Sequence, residues 1–427
     1  MTQCHVVVIG AGIIGAATAL ELLRDGHRVT ILEPGEPGGE QAASYGNGCW
    51  LSPSSVVPMS APGIWRKVPG WLADPLGPLT IRWGYLPRML PWLWRFLASG
   101  STEAKLRATA RALRPLVERS PERHLRLAEE AGVADLIQRQ GLLYVFPDRA
   151  AFEAESLGWQ LRRENGVQWI ELDENELRQR EPTLSRDYRF GVFVEEGGHC
   201  LNPGAYVAAL VKAAVAQGAT LQRGRAQGFR IESGRLRAVR TDAGEIACHA
   251  AVIAAGARSK QLAAAAGDNV PLETERGYHA IIEHPESGPR HPIMPSDGKM
   301  SITMMAQGLR IAGQVELAGL EAAPNWKRAD ILRDFALRLW PDLPRDLPRD
   351  RVKVWMGHRP SVADGLPCIG ATSGCADVFH AYGHGHIGLA AGATTGRLVA
   401  DLVGGKMPAF DPAPYSPRRF SAARTAR

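Results

Sequence analysis

The sequence is short of the features that would classify it at a glance. Its six cysteines, Cys4, Cys49, Cys200, Cys248, Cys368 and Cys375, include no Cys-x-x-Cys pair. Neither a zinc site nor a disulfide framework follows, no metal is expected, and the usage fits a reducing compartment. No run of about 18 apolar residues occurs, so no helix is expected to cross a bilayer. A basic region is missing from the N-terminus, and three glycines break the apolar stretch from Val6 to Leu20. That stretch reads as a buried strand and helix, not as a signal peptide. Lys/Arg-rich runs are also absent, and 50 basic against 44 acidic residues leave a net charge of only +6. Nucleic acid is therefore not an expected partner.

What is present suits a globular enzyme. The 427 residues exceed what one hydrophobic core can organise, so two or three domains are expected. Hydrophobic content of 45% and charged content of 22% are ordinary.

The most informative stretch comes first. Four apolar residues ending at Ile9 are followed by Gly10-Ala11-Gly12-Ile13-Ile14-Gly15 and then a strong helix former running to Leu23. Strand, glycine turn and helix in that order cradle a dinucleotide. Gly10 permits the tight turn, Gly12 admits a pyrophosphate, and Gly15 lets the helix pack closely. The helix N-terminus then faces the anion with free N–H groups. His27 to Leu32 reads as the second strand, ending at Glu33 and Pro34. A carboxylate there suits a ribose 2′-OH and repels a 2′-phosphate, so FAD or NAD is expected. Small residues from Ala42 to Gly48, among them Ser44 and Asn47, make a loop able to line that cofactor.

Residues 50 to 97 differ in character. Trp65, Trp71, Trp83, Trp92 and Trp94 are interleaved with Arg66, Lys67, Arg82, Arg88 and Arg95, against the single acid Asp74. Two readings stand side by side: a membrane–water interface, or the packed floor of a second domain. Helices are expected from Ser101 to Glu130 and from Ala150 to Asn165, with another starting near Glu171. A further one is expected from Pro203 to Gln217, capped by Asn202. Ala250 to Gly256 reads as the chain's return to the nucleotide sheet, and Val270 to Ile282 as the strand that leaves it. A second strand–glycine turn, Val378 to Gly388, lacks a following strand with a terminal acid. It is therefore not read as a second dinucleotide site.

Gly10 to Gly15, Glu33, Ser44-Tyr-Gly-Asn-Gly48 and Ala254-Ala-Gly256, together with Gly357-His-Arg-Pro360, Asp364 to Gly370 and Gly383 to Gly388, resemble the FAD-dependent D-amino-acid oxidase and dehydrogenase superfamily. These pieces span nearly the whole chain, and Val68 to Leu79 with Leu86 to Leu93 is similar to the insertion of bacterial D-amino-acid dehydrogenases. The resemblance implies an α/β fold in which a discontinuous Rossmann-type FAD domain (1–60, 190–268 and 352–427) carries an α+β substrate domain built on an antiparallel sheet (61–189 and 269–351). It implies that FAD rests on Ile9 to Gly15, Glu33, Pro34, Ser44, Asn47, Gly48 and Gly256, with Gly383, Gly385, His386, Ile387 and Gly388 at the flavin's pyrimidine edge. It also implies that Arg359 pairs with a substrate carboxylate, as a planar guanidinium can do bidentately.

Tyr278 and His279 alternate on one strand, so only one of them can face the flavin. His384 is a candidate base or a positioning group. Cys49 and Cys368 stand in no recognised attachment motif, so non-covalent FAD is expected. The implied reaction is oxidation of a small D-amino acid or cyclic imino acid by hydride transfer from Cα to flavin N5, with a quinone or respiratory-chain acceptor. A glycine/sarcosine-type oxidase using oxygen and a flavin subunit of a larger dehydrogenase are the alternatives. The expected location is the cytoplasm, on the inner face of its membrane if residues 50 to 97 are interfacial.

Overall fold

A computed structural model describes residues 3–73, 77 and 79–424. Part of the insertion-like stretch, Asp74 to Leu76 and Pro78, and the Trp71 side chain lie outside that description.

Two sheets organise the chain. The first has six strands in the order Thr220–Arg223, Arg28–Glu33, His5–Ile9, Ala250–Ile253, Val378–Tyr382 and Cys368–Ala371. The first five run parallel and the last is antiparallel to its neighbour. Continuous apolar runs such as Val6-Val7-Val8 are fully buried, as expected where helices cover both faces of a parallel sheet. Helices Ile13–Arg24 and Gly388–Val403 cross closely on one face, where a Cβ at Gly396 would stand 2.7 Å from the Ala17 carbonyl carbon. On the other face, Phe229, Val239 and Leu262 complete a separate apolar cluster with Val7, Ile9 and Ile253.

The second sheet has nine strands, mostly antiparallel. Its long members Val352–Val362, Leu272–Ile282 and Gly308–Leu317 lie side by side, followed by Ser301–Met305, Ile293–Pro295, Leu142–Phe146, Phe190–Val194 and Ile170–Leu172. Leu79–Ile81 pairs with Gly308–Leu317 off that path. Helix Lys327–Leu339 covers one face through Leu332, Ala336 and Leu339, which meet Tyr278, Ile302 and Ile311. Two strands near the sequence-based borders, Phe190–Val194 and Val352–Val362, run in this larger sheet. Helices Glu103–Val117 and Ser120–Glu130 also cross the drawn border, since Leu113, Leu116 and Leu127 join the core of the six-stranded sheet.

Asn202 caps helix Pro203–Ala216 by accepting from the Ala205 amide at 3.1 Å, as its sequence predicts. The single helix expected from Ala150 to Asn165 is two, Arg149–Glu153 and Ser156–Glu164. The helix expected near Glu171 starts at Glu174, because Asp173 and Glu176 form a capping box and Ile170–Leu172 is drawn into the sheet.

Candidate functional site

Four parallel neighbours of the six-stranded sheet end on one edge, and that edge gathers residues distant in sequence. Gly10, Gly256 and Gly383 follow the strands ending at Ile9, Ile253 and Tyr382, and Glu33 is the last residue of its own strand. Ligands of open α/β sheets bind at such carboxyl edges. Gly10 has φ +108°, and a Cβ there would stand 2.5 Å from the Ala254 oxygen. A Cβ at Gly15 would stand 1.9 Å from the Gly10 oxygen, so strand, turn and helix close only without side chains. Gly12 is open, with the Ser44 hydroxyl 3.4 Å from where its Cβ would be. Gly12 has no side chain to cap the helix it begins, and the Ser44 hydroxyl takes the Ile13 amide instead. Glu33 is buried and accepts from the amides of Ala11 (2.7 Å) and Gly35 (3.0 Å), which fixes its carboxylate beside the turn. A helix N-terminus beside a fixed carboxylate is the kind of donor and acceptor set that a pyrophosphate and a ribose diol require.

The loop from Ser44 to Cys49 leads from this edge onto the nine-stranded sheet. The Ser44 hydroxyl accepts from the Ile13 amide at 3.0 Å, and the Asn47 side chain accepts from Cys49 N at 2.8 Å. Arg310 then binds the carbonyls of Tyr45 (3.0 Å) and Asn47 (2.9 Å), and Thr303 that of Gly48. A Cβ at Gly46 would enter the Trp355 ring, and one at Gly48 would strike Ser301. Glycine is needed at both because the loop lies flat on the sheet. Arg310 and Trp355 escaped the sequence reading, although Trp355 sits four residues before Arg359, where alternation puts both on one strand face.

Register separates Tyr278 from His279. His279 stands opposite Trp355 and shares its face with Glu275 and Arg359, which also oppose each other. Its Nδ1 lies 3.3 Å from the Gly46 oxygen, and burial with Arg310 nearby lowers its pKa to about 3. Tyr278 is on the other face. Its hydroxyl donates to Glu316 at 2.5 Å and accepts from the Asn325 amide, under helix Lys327–Leu339. The structure therefore does not bring Tyr278 together with the other candidate catalytic residues.

Arg359 reaches across the sheet. Its guanidinium lies over Gly277, where a Cβ would be 2.3 Å from the guanidinium carbon. It donates to the carbonyls of Gln314 (2.9 Å) and Gly313 (3.2 Å). Burial lowers its pKa while Glu275 opposes that shift. Glu275 is itself buried and raised, with Arg359 and the Ser361 hydroxyl pulling the other way.

The second glycine turn closes the group. Gly383 (φ +88°) and Gly385 (φ +53°) carry the chain from Tyr382 into Gly385–Ile387 and helix Gly388–Val403. His384 turns inward, its Nε2 3.0 Å from the Thr395 hydroxyl, and burial lowers it to about 3. Its backbone bridges Ser361, two residues beyond Arg359. His386 keeps an open face, yet dense protein around it and then Arg359 hold it near 4. Cys49 and Cys368 are buried with free thiols, and burial raises both, Cys368 to about 12. A thiolate able to attack a flavin is disfavoured at either position.

The sequence profile of a family described as FAD dependent oxidoreductase matches residues 5–402. The chain belongs to this family. As a member it is an FAD-dependent oxidoreductase, and the glycine edge fits that cofactor. It is 59% identical over 416 residues to a D-amino-acid oxidase of Bradyrhizobium diazoefficiens, covering 97% of this chain and 99% of the relative. It is 32% identical to a D-amino acid dehydrogenase of Paramagnetospirillum magneticum over 94% and 95% of the two chains. The fold matches glycine oxidase from Geobacillus kaustophilus with a TM-score of 0.71 at 24% identity, over 97% of this chain and 98% of that one. L-Proline dehydrogenase from P. horikoshii matches with a TM-score of 0.71 at 20% identity, over 99% and 98%.

Proposed function

We propose that this family member oxidatively deaminates small D-amino acids, with Arg359 as the carboxylate anchor. The observation that carries this is the Arg359 guanidinium, held by two carbonyls on the sheet face that meets the cofactor-lining loop. Two of its five N–H donors are engaged, which leaves a fork for a bidentate carboxylate. The names of the relatives above supply the substrate class.

The glycine edge and the Ser44–Gly48 loop would hold FAD, which would supply the hydride acceptor for the substrate Cα. Arg359 would hold the substrate carboxylate and so fix the substrate's orientation in the site. His279 and Trp355 form an aromatic wall on the same face, and His384 braces the turn from behind. Burial keeps His279, His384 and His386 neutral near pH 7, so the substrate enters with its amine already deprotonated. Water then hydrolyses the imino product, or a cyclic imine leaves intact if the substrate is proline-like. We assign the six-stranded sheet to the nucleotide and the nine-stranded sheet to the substrate.

For the electron acceptor we propose a quinone-type carrier met at a membrane surface. Trp65, Trp83 and Trp94 are 60%, 70% and 75% exposed, which supports the interfacial reading of that segment. Trp92 is packed inside, stacked on Phe96. Oxygen is the second reading, favoured by the oxidase name of the 59% identical relative. No helix among the described residues is long and apolar enough to cross a membrane.

An anaerobic screen tests the assignment. The flavin absorbance of the purified enzyme should bleach with D-alanine or D-proline and stay unchanged with the L-enantiomers. Bleaching by L-amino acids, or by none, would overturn it. Re-oxidation of the bleached enzyme by oxygen or by a soluble quinone then decides the acceptor.

A further inference from the structure

The strand Gly308–Leu317 breaks register once, and the break lies under Arg359. Against Leu272–Ile282, Arg276 faces Glu316 and Tyr278 faces Gly313. Gln314 and Val315 therefore stand together opposite Gly277, which is a β-bulge. Gln314 has φ +62°, a left-handed conformation that a non-glycine residue seldom adopts within a strand. In an unbroken strand, successive carbonyls point to opposite sides and cannot converge on one group. Here the carbonyls of Gly313 and Gln314 both receive N–H groups from Arg359, at 3.2 and 2.9 Å. The bulge is pinned from behind, where the Gln314 Oε1 accepts from Arg328 Nη1 at 2.9 Å. Arg328 also donates to the Gly77 carbonyl. Gly277 supplies a bare floor for the guanidinium. Such outliers persist where surrounding structure over-determines them, often beside functional groups.

We infer that Gln314 is a positioning residue, whose bulge fixes the Arg359 guanidinium flat over Gly277 with its remaining N–H donors presented to the substrate carboxylate. This rests on the assignment of Arg359 as the anchor. It adds that the two bulge carbonyls, beside the Glu275 carboxylate opposite, aim the fork.

The test uses FAD-loaded enzyme, D-alanine as substrate and acetate as a carboxylate inhibitor. Deleting Gln314 restores regular pairing and should turn one carbonyl away. KM for D-alanine and Ki for acetate should then rise together by about 30- to 100-fold, with kcat within about threefold. Gln314→Val, whose branched side chain opposes positive φ, should move both constants in the same direction. Gln314→Gly, which tolerates the conformation but loses the Arg328 contact, should raise KM and Ki together by less than Gln314→Val does. A general packing defect would lower kcat or FAD content without linking KM to Ki. If the deletion fails to load FAD, Gln314→Val decides alone. Wild-type KM and Ki in a loaded Gln314→Val enzyme would overturn the inference. Unchanged KM in Arg359→Ala would instead overturn the anchor itself.

Discussion

His279 and Trp355 stack ring on ring, with centroids 5.1 Å apart and planes 20° from parallel, because strand register sets them opposite each other. Tyr45 leans against both, at 6.3 and 6.0 Å. The imidazole is thus enclosed by aromatic rings and the Gly46 carbonyl, and burial keeps it neutral with a pKa near 3.

A neutral, enclosed imidazole makes a definite pH prediction. With His279 and His384 near 3 and His386 near 4, none of them titrates between pH 6 and 9. The acid limb of kcat/KM should follow the substrate amino group and move when amino acids of different amine pKa are compared. His279→Gln should leave that limb in place. An acid limb that stays fixed across substrates and disappears in His279→Gln would show that the histidine is the base.

The same histidines govern acid stability. His124, His199, His279 and His384 are buried, with native pKa values of about 4, 4, 3 and 3. An unfolded imidazole binds its proton near pH 6.5, so between about pH 6.5 and 4 the unfolded state holds protons that the native state refuses. Stability is therefore fully present above pH 6.5 and falls as pH drops through this window. Each tenfold difference in proton affinity is worth ~1.4 kcal/mol, so the four groups act together to lower stability by on the order of 10 kcal/mol across the window. Thermal melts at pH 7.5 and 5 should show a clear drop in Tm. His124→Gln, which removes one of the four, should shrink it.

Arg359→Ala should raise KM for D-amino acids by about 100-fold, near the ~3 kcal/mol of a charge-assisted bidentate pair, and leave FAD bound. Arg359→Lys should not restore KM, since an ammonium cannot span the Gly313 and Gln314 carbonyls and still offer a fork. Steady-state kinetics with flavin absorbance as the loading control measures both.

Legibility in the sequence followed the range of each interaction. Gly10 to Gly15 and Glu33 could be read together because the turn, the helix and the acid that ends the next strand are set by neighbours within about one βαβ unit. Arg359 was readable through the Gly357-His-Arg-Pro360 motif. Its partners were not: Glu275, Gln314 and Gly277 meet it through pairing of three strands, and the bulge that turns Gln314 over has no local composition cue. The Tyr278/His279 choice likewise needed one fact of register. Residues Phe190–Val194 and Val352–Val362 joined the larger sheet through antiparallel partners remote in sequence, so their borders could not be drawn from local pattern.

Gly15→Val should abolish FAD loading. Its side chain would begin 1.9 Å from the Gly10 oxygen, and relief requires prising the first helix from the turn that presents its N–H groups. The purified variant should be colourless, with a 450 nm to 280 nm absorbance ratio below about a tenth of wild type. Gly158→Ala, in helix Ser156–Glu164 where the nearest atom stands 3.5 Å from the added Cβ, serves as a control for handling losses and should stay yellow.

The exposed tryptophans make a prediction about surfaces. Helix Leu86–Ser99 buries Met89 and Trp92 and leaves Arg88, Leu90, Trp94 and Arg95 outward, while Trp83, Trp65 and Arg66 are exposed nearby in sequence. Arg82 is committed to Glu316, so Arg66, Arg88 and Arg95 supply the exposed positive charge. Indole rings beside cations suit a headgroup layer in which the ring sits at the interface and the cation meets lipid phosphate. Anionic vesicles should sediment the protein at low salt and release part of it at about 0.5 M salt, where screening shortens the reach of charge to a few ångströms. Trp65→Ala, Trp83→Ala and Trp94→Ala combined should remove the salt-resistant part and leave kcat with a soluble quinone unchanged. Equal sedimentation of wild type and triple variant would place the attraction elsewhere on the surface. No sedimentation of either would leave the three tryptophans without a membrane role and favour oxygen as the acceptor.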